Sequence, residues 1–568
     1  MTGTPGPVPV RRTRLGPIRG LPRTDRPSKA ANTRHQVLAW LLATGCGLYY
    51  LVYNERLVSS SGLYFDELIQ VAPVINFLHP GRQSPFGHPP HMTMPYIGEV
   101  KQLVMLPSFA IFGHGPSVIR TTTIALGLIA LALTFLVVRR LTPTSLVIPA
   151  VTVLLLSVDP SFLFFSRIDY GPTALQFVLK LSGLLLLLIW WRSCRRWLLF
   201  ASGFILGVGM YDKADFVWVI GATFGAAAAT DLQGIIARLR LRSALALLGG
   251  LTLGALPLLR YNLIGLNFPT LTTAQNQPDI ARGAVGRLSE RLRMLDSVLN
   301  GRWIQGVAGA HIGGTVLWRL AGLVVILAIY IGIRTSDPSV RSLLRPLTFS
   351  VIALLITIIE AAATTGGFAQ HHLVLTYPFP QLAVAISVTL LCRSVRTSDA
   401  GPLGGLGLVA AIALVSLITA ADLDTNQTLA TALERTGGVG NWSNATEKLG
   451  PFLKRLRPTS PVLTGDWGIS VPLYVYENGD VPVIDVYPLL LTTNQQNIAL
   501  PSSIFRPGTI VVTHSPDRSN FPVARSALLA RTGLINLNPH LEGVIPDGTG
   551  HPELEIWRLE GRTNPLGP

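Results

Sequence analysis

"VLAWLLATGCGLYYLVYNERLV", residues 37–58, decides what kind of chain this is. A helix rises about 1.5 Å per residue, so roughly 20 apolar residues cross the ~30 Å hydrocarbon core of a bilayer. This run is long enough and carries no charge before Glu55. Within it, "LATGC", residues 42–46, resembles a lipoprotein cleavage site. The charged region ahead of it is too long for a secretory signal, so the run reads as an uncleaved first span. Residues 1–35 are rich in Pro and Arg and poor in apolar residues, the composition of a disordered cytoplasmic tail.

Working outward, the whole chain repeats the pattern. Its 568 residues are 49% hydrophobic and only 13% charged, with a mean hydropathy of +0.44. Soluble proteins carry about 25% charged residues, so a large soluble core is excluded in favour of a polytopic helical membrane protein. Further spans are expected near residues 117–138, 146–165, 173–191, 197–211, 214–232, 243–260, 313–333, 346–364, 372–392 and 404–421, about eleven with the first.

The net charge of +16 does not point to nucleic acid, because the basic residues sit in short clusters between apolar runs. With the N-terminus inside, "VVRRL", "WWRSCRRW", "ARLRLRS", "IRTSDPSVRSLLR" and "CRSVRTS" all fall on the cytoplasmic side, as the positive-inside rule requires. Only six of the basic residues are lysines, an Arg bias typical of a GC-rich bacterial genome. The three cysteines, Cys46, Cys194 and Cys392, are too far apart for a metal motif or disulfide framework.

The opposite, extracytoplasmic side then receives residues 59–102, "FFSRIDYGP", residues 261–312, "TTGGFAQHH" and everything after 421. The domains expected are thus the tail, a membrane domain over 36–421 with its principal loop at 59–102, and an extracytoplasmic mixed α/β domain over 422–568. Strand-like runs in the last are "SPVLTG", "VPVIDVY", "GTIVVTHS" and "ELEIWRLE". It has no glycine-rich phosphate loop, and a stabilising or docking role suits it.

Chemistry gathers in four blocks. "GLYFDELIQ", residues 62–70, places Asp66 and Glu67 side by side at the start of "FDELIQVAPVINFLHP", whose Leu68, Val71, Ile75 and Leu78 suit an amphipathic helix on the membrane surface. Neighbouring helix residues point about 100° apart, so both cannot face one pocket. One is free to act as a base while the other caps, or both simply favour the helix dipole. "PYIGEVKQLVMLPSFAIFG" puts Lys101 in an apolar stretch, where its ammonium suits a lipid-borne phosphate or any anionic lipid. "FFSRIDYGP" offers Arg167 and Asp169 at the membrane edge, as a polar site or as an ion pair tying two helices. "FAQHHLVLTYPFP" sets His371 and His372 at the mouth of a span, able to bind hydroxyls or phosphate or to be merely interfacial. Arg260 in "LPLLRYN" is a phosphate candidate or a snorkelling helix end. His79, His88, His91 and Glu99 are possible ligands for a divalent ion, but their spacing matches no metal motif and no metal is assigned.

An acidic pair in the first outer loop, an interface block with a basic residue, and Arg-x-Asp at the next outer turn resemble the type C membrane glycosyltransferases, in particular the bacterial protein-mannosyltransferase-like and aminoarabinose-transferase-like group. The resemblance covers residues ~36–421 and is strongest over 62–180. It implies an inverting transferase of the cell envelope, moving a hexose or pentose from a polyprenyl-phosphate donor to an acceptor hydroxyl on a glycan, lipid or protein outside the inner membrane. By the same resemblance Asp66 is the general base, Lys101 steadies the departing phosphate, and Arg167 and Asp169 complete the pocket. Glu67, Arg260, His371 and His372 join them as candidate substrate contacts. No cofactor is firmly implied. The alternative is a lipid-linked glycan transporter or flippase, although internal repeats and midplane helix breaks are absent from the sequence.

Overall fold

The computed structural model describes residues 29–79, 92–264, 267–276, 283–365, 368–396, 401–491, 501 and 503–561. Among them, eight helices are long and apolar enough to cross a membrane, beginning with Gln36–Arg56 and Pro116–Leu141 and ending with Gln370–Arg396 and Gly405–Thr436. A ninth span forms if Leu241–Gly254 and Leu256–Leu263, bent by 67°, are taken together. The chain is therefore a multi-pass membrane protein. The remaining two of the eleven expected spans are shorter helices, Val147–Val158 and Arg196–Asp212. The first ends at Asp159, which caps the next short helix, Pro160–Phe165, by accepting from the Phe162 N–H at 2.9 Å.

The spans bury one stripe and leave large apolar side chains such as Leu38, Ile326, Leu355 and Val409 exposed, as lipid contact requires. The pair Arg196–Asp212 and Leu241–Gly254 is held by a small-residue seam. A Cβ on Gly203 or Gly207 would lie 2.2 Å from the carbonyl oxygens of Leu247 and Leu251. One on Gly250 or Gly254 would lie 2.1 or 2.2 Å from those of Phe200 and Phe204. Two Gly-x-x-x-Gly repeats thus let the backbones touch, the packing that replaces hydrophobic driving force inside lipid.

The basic clusters converge on one end of the bundle. Arg192 donates to the Arg140 carbonyl, Arg393 to those of Ser339 and Thr144, and Arg238 lies over the Trp191 ring. On helix Pro116–Leu141, Arg139 and Arg140 belong to this end while Arg120 binds Glu67 at the other. The nineteen residue steps from Arg120 to Arg139 make the separation about 28 Å, one hydrocarbon thickness.

Two expectations about the extramembrane parts change. Residues 65–78 form two short helices, Phe65–Leu68 and Ala72–Leu78, with Pro73 starting the second. Leu68, Val71 and Ile75 do not lie on lipid: they pack with Met105, Phe109, Val471, Tyr474 and Val475. The first loop is clamped between the membrane bundle and the C-terminal domain. The last helix runs unbroken over Gly401–Thr436, so the expected boundary at 421/422 falls inside it, and the first helix begins at Lys29, within the expected tail.

The C-terminal domain is a five-stranded sheet of β1 (Val462–Thr464), β2 (Val483–Asp485), β3 (Ile510–His514), β4 (Leu537–Pro546) and β5 (Pro552–Gly561), in the order β2-β1-β3-β5-β4. β1 runs parallel to β2 and β3, while β5 is antiparallel to β3 and β4. Alternation along β3 sends Ile510 and Val512 to a core with Ala445, Leu449 and Leu453, and Val511 to another with Ala524 and Leu528. Helices therefore cover both faces. β4, "LNPHLEGVIP", was not readable as a strand: its proline, glycine and histidine hide the alternation, and a bulge at Leu541/Gly543 shifts its register.

Candidate functional site

At the end of the bundle away from the basic clusters lies a cavity of about 680 Å³. Asp66, Tyr96, Tyr170, Lys213, Asp215, His371 and His372 supply its polar part. Leu258, Leu259, Leu263, Phe268 and Leu271 supply an apolar wall, and the last three are exposed, so the cavity opens sideways onto apolar surface.

The adjacent carboxylates part company here. Asp66 is half-buried on the cavity wall. Burial pushes its carboxyl above the ordinary Asp value, an effect opposed by hydrogen bonds from Tyr64 and Tyr170 and by the Lys213 charge. Glu67 is fully buried, pairs with both faces of the Arg120 fork at 2.9 and 3.1 Å, and accepts from the Tyr64 N–H at 3.3 Å. Arg120 also donates to the carbonyls of Val58, Ser61 and Gly62. Glu67 thus caps the short helix and fixes the loop that presents Asp66. It does not line the cavity.

Lys101 is also turned inward. Its Nζ lies 3.2 Å from Asp169 and donates to the carbonyls of Gly171 and Glu67, with no exposure. Asp169, whose carboxyl is pushed up by burial and partly held down by Lys101, also accepts from the Ala174 N–H at 3.0 Å. Arg167 donates to Asn54 at 3.2 Å. Arg167 and Asp169 are not partners of each other: each is tied to another element, and together they frame the turn whose Gly171 donates to the Asp66 carbonyl. Arg260 is exposed and off the cavity wall.

The cavity's own cation is Lys213, which the sequence reading passed over. It joins two helices in "YDKADF", a link too short to register as a loop, although a Lys between two Asp residues within an apolar run was the available signal. A small antiparallel bridge from the first loop sets it in place. Gly98 N–H donates to the Asp212 carbonyl, Ala214 N–H to the Tyr96 carbonyl, and Ile97 pairs with Lys213. A Cβ on Gly98 would lie 2.1 Å from the Tyr211 carbonyl oxygen, so only glycine allows this approach. Lys213 Nζ lies 3.2 Å from Asp215, which also meets His372 Nδ1 at 2.8 Å and accepts from Gln176 at 2.7 Å. His371 packs its ring on Tyr170 at 4.4 Å, and the Tyr170 hydroxyl meets that of Tyr64 at 2.7 Å. The expected histidines do reach the site, one bracing Asp215 and one against the Asp66 tyrosines.

Among the described residues no group of three or more His, Cys, Asp or Glu is arranged to hold a metal. Of the residues considered for a divalent ion, His88 and His91 lie outside the described residues, and Glu99 is half-buried with its carboxyl raised by burial.

Fold and site together define a multi-pass membrane protein with a carboxylate and a cation on one cavity that has an apolar wall and opens to the side. A model of the dolichyl-phosphate-mannose-protein mannosyltransferase family matches residues 101–259. No curated protein matches the sequence. Among solved structures, ArnT from Cupriavidus metallidurans in the apo state aligns over 93% of this chain and 98% of its own, with a TM-score of 0.58 at 13% identity. The same protein bound to undecaprenyl phosphate gives 0.54 at 11% identity with the same coverage. The Archaeoglobus fulgidus oligosaccharyltransferase gives 0.51 at 11% identity over 89% of this chain and 73% of its own. The resemblance drawn from the sequence holds: the chain has the fold of the type C membrane glycosyltransferases and, over residues 101–259, the sequence pattern of the protein-mannosyltransferase family.

Proposed function

We propose that the protein is an inverting glycosyltransferase that passes a sugar from a polyprenyl-phosphate carrier to an acceptor hydroxyl. The observation that carries this reading is that Asp66 and Lys213 line one cavity, one side of which is an apolar wall of Leu258, Leu259, Leu263, Phe268 and Leu271 that opens onto the surface. A lipid carrier enters along Leu263, Phe268 and Leu271, and its phosphate meets Lys213. Asp66 takes the proton of the acceptor hydroxyl as its oxygen forms the bond to the anomeric carbon. The bond from that carbon to the phosphate oxygen breaks with its electron pair, and the single displacement inverts the centre. Lys213 offsets the charge that grows on the departing phosphate. The phosphate cation is thus Lys213, which lines the cavity beside Asp215, rather than Lys101, which pairs with Asp169 away from the cavity wall. Glu67, Arg167 and Asp169 position the loops, and His372 orients Asp215 beside Lys213. The known binding of undecaprenyl phosphate by the structurally similar ArnT supports the choice of donor class.

The basic end faces the cytoplasm by the positive-inside rule. The site and the C-terminal domain then lie outside the inner membrane, with residues 59–102 as the catalytic loop. A hexose or a pentose is the transferred group.

The test is transfer by purified protein in liposomes from a panel of polyprenyl-phosphate sugars to native envelope extract, comparing wild type, Asp66→Asn and Lys213→Ala. Transfer by wild type that is lost in both folded variants is expected. Undiminished transfer by Asp66→Asn would remove the base, and lipid-sugar translocation without transfer would establish a transporter instead.

A further inference from the structure

Behind the wall formed by Tyr170 and His371 lies a second cavity of about 180 Å³, whose lining also includes Phe165, Trp303, Gln370 and Trp442. Tyr170 and His371 line both cavities, so this space adjoins the one that holds Asp66. The two loops that bring the indoles together are pinned by the Val439 N–H, which donates to the Val307 carbonyl at 3.0 Å.

Each indole is backed on one face by another ring. Trp303 stacks on Phe165 at 4.7 Å and donates its Nε1–H to Ser161 at 2.8 Å, so its plane is fixed. Trp442 stacks on Tyr64 at 4.3 Å. Both indoles remain part of the cavity lining, where a ligand can meet them. Polar groups accompany them: Trp442 Nε1 and His371 Nδ1 are buried and without hydrogen-bond partners among the described residues, and the Gln370 side chain is on the wall. Leaving buried polar groups without partners is costly, so these groups suit a hydroxyl-bearing occupant.

From this arrangement we infer that the small cavity is a subsite for one sugar ring of a carbohydrate acceptor. Flat indole faces suit the C–H faces of a sugar ring, and the ring nitrogens and amide suit its hydroxyls. No lysine or arginine lines the cavity, which argues against a phosphate there, and its size admits a ring but not a lipid chain. The inference rests on the transferase reading above and adds to it that the acceptor is a glycan. Its hydroxyl reaches Asp66 where the Tyr170–His371 wall parts.

The test uses the full chain in detergent with methyl α-mannopyranoside, methyl α-galactopyranoside and methyl α-arabinofuranoside as probes, and a Ser/Thr-rich peptide as the rival acceptor. Saturation-transfer NMR reads binding. At least one glycoside binds wild type, and Trp303→Leu weakens it about tenfold, the loss of one ring stack. Trp442→Phe, which keeps a ring but removes the N–H, weakens it less. Both variants still bind undecaprenyl phosphate, which reports that they are folded. Lys213→Ala, in contrast, loses undecaprenyl phosphate and keeps the glycoside. Absence of glycoside binding to folded wild type, binding of the peptide alone, or unchanged glycoside binding in Trp303→Leu would each overturn the subsite. Glycoside binding lost in Lys213→Ala but not in Trp303→Leu would move the ring to the donor cavity, with the same consequence. Normal undecaprenyl phosphate binding by Lys213→Ala would count against the donor assignment and leave the sugar subsite standing.

Discussion

Two adjacent carboxylates should fail in opposite ways when removed. Glu67 makes two charge-assisted bonds to Arg120, and both groups are fully buried. Removing one member of a buried pair leaves an uncompensated charge and typically costs about 3–5 kcal/mol. Glu67→Ala should therefore lower the melting temperature sharply, with Glu67→Gln intermediate because its amide still accepts one bond from Arg120. Among the described residues Asp66 has no arginine partner of this kind, only hydrogen bonds from Tyr64 and Tyr170 and the nearby Lys213 charge, and burial already disfavours its charged form. Asp66→Asn should melt at or above the wild-type temperature, yet lose about 10²–10⁴-fold in transfer rate as a general base is removed. The assay is paired: intrinsic-fluorescence melts in detergent and single-donor transfer rates on the same preparations. Equal destabilisation by both substitutions, or a Glu67→Ala protein that melts like wild type, would refute the division of roles between them.

Other outcomes follow from the same geometry. Lys213→Ala should weaken binding of polyprenyl phosphate, read by titration with undecaprenyl phosphate in nanodiscs, and should also lower the melting temperature because it leaves the buried Asp215 without its cation; unchanged affinity would place the phosphate elsewhere. The Asp66 base works as a carboxylate, and its pKa lies above the ordinary Asp value, so transfer is full at high pH and falls as pH drops through that raised value. A pH–rate profile whose acid limb sits at or below the ordinary Asp range would contradict this. Gly207→Leu should abolish stable expression, because its Cβ would lie 2.2 Å from the Leu251 carbonyl oxygen; a normal melt would show that the helices do not touch there. In the C-terminal domain, burial pushes the Asp485 carboxyl up to about 6, so the wild-type domain loses stability as pH rises from about 4 to 6. Asp485→Asn should flatten that slope and be the more stable protein at pH 7, as measured by melts across pH.

The amino-acid sequence by itself determined the membrane class, the positions of most helices, and the segregation of basic loops from chemistry-bearing ones. Those features follow from solvent: apolar runs, helix length and loop charge act locally and need no partner. Four of the five strands were legible for the same reason, since β1, β2, β3 and β5 show short apolar runs bounded by turn residues. The sequence also singled out Asp66 and separated it in orientation from Glu67, because helix geometry alone forbids both from facing one way.

Only the tertiary structure decided which charges reach the cavity and which lie away from it. Lys101 and Lys213 each stand within an apolar stretch, and each ends in a buried ion pair, with Asp169 and Asp215. The first pair is held off the cavity by the turn carbonyls, while the second is delivered to the cavity by a backbone bridge from the loop at residues 94–98. Arg167 and Asp169, two residues apart, find separate partners because the turn between them points their side chains at different helices. The aromatic cavity joins residues 165, 303 and 442, which no local pattern could associate. Such contacts span hundreds of residues, and their energy comes from packing and charge pairing that exist only once the helices have assembled.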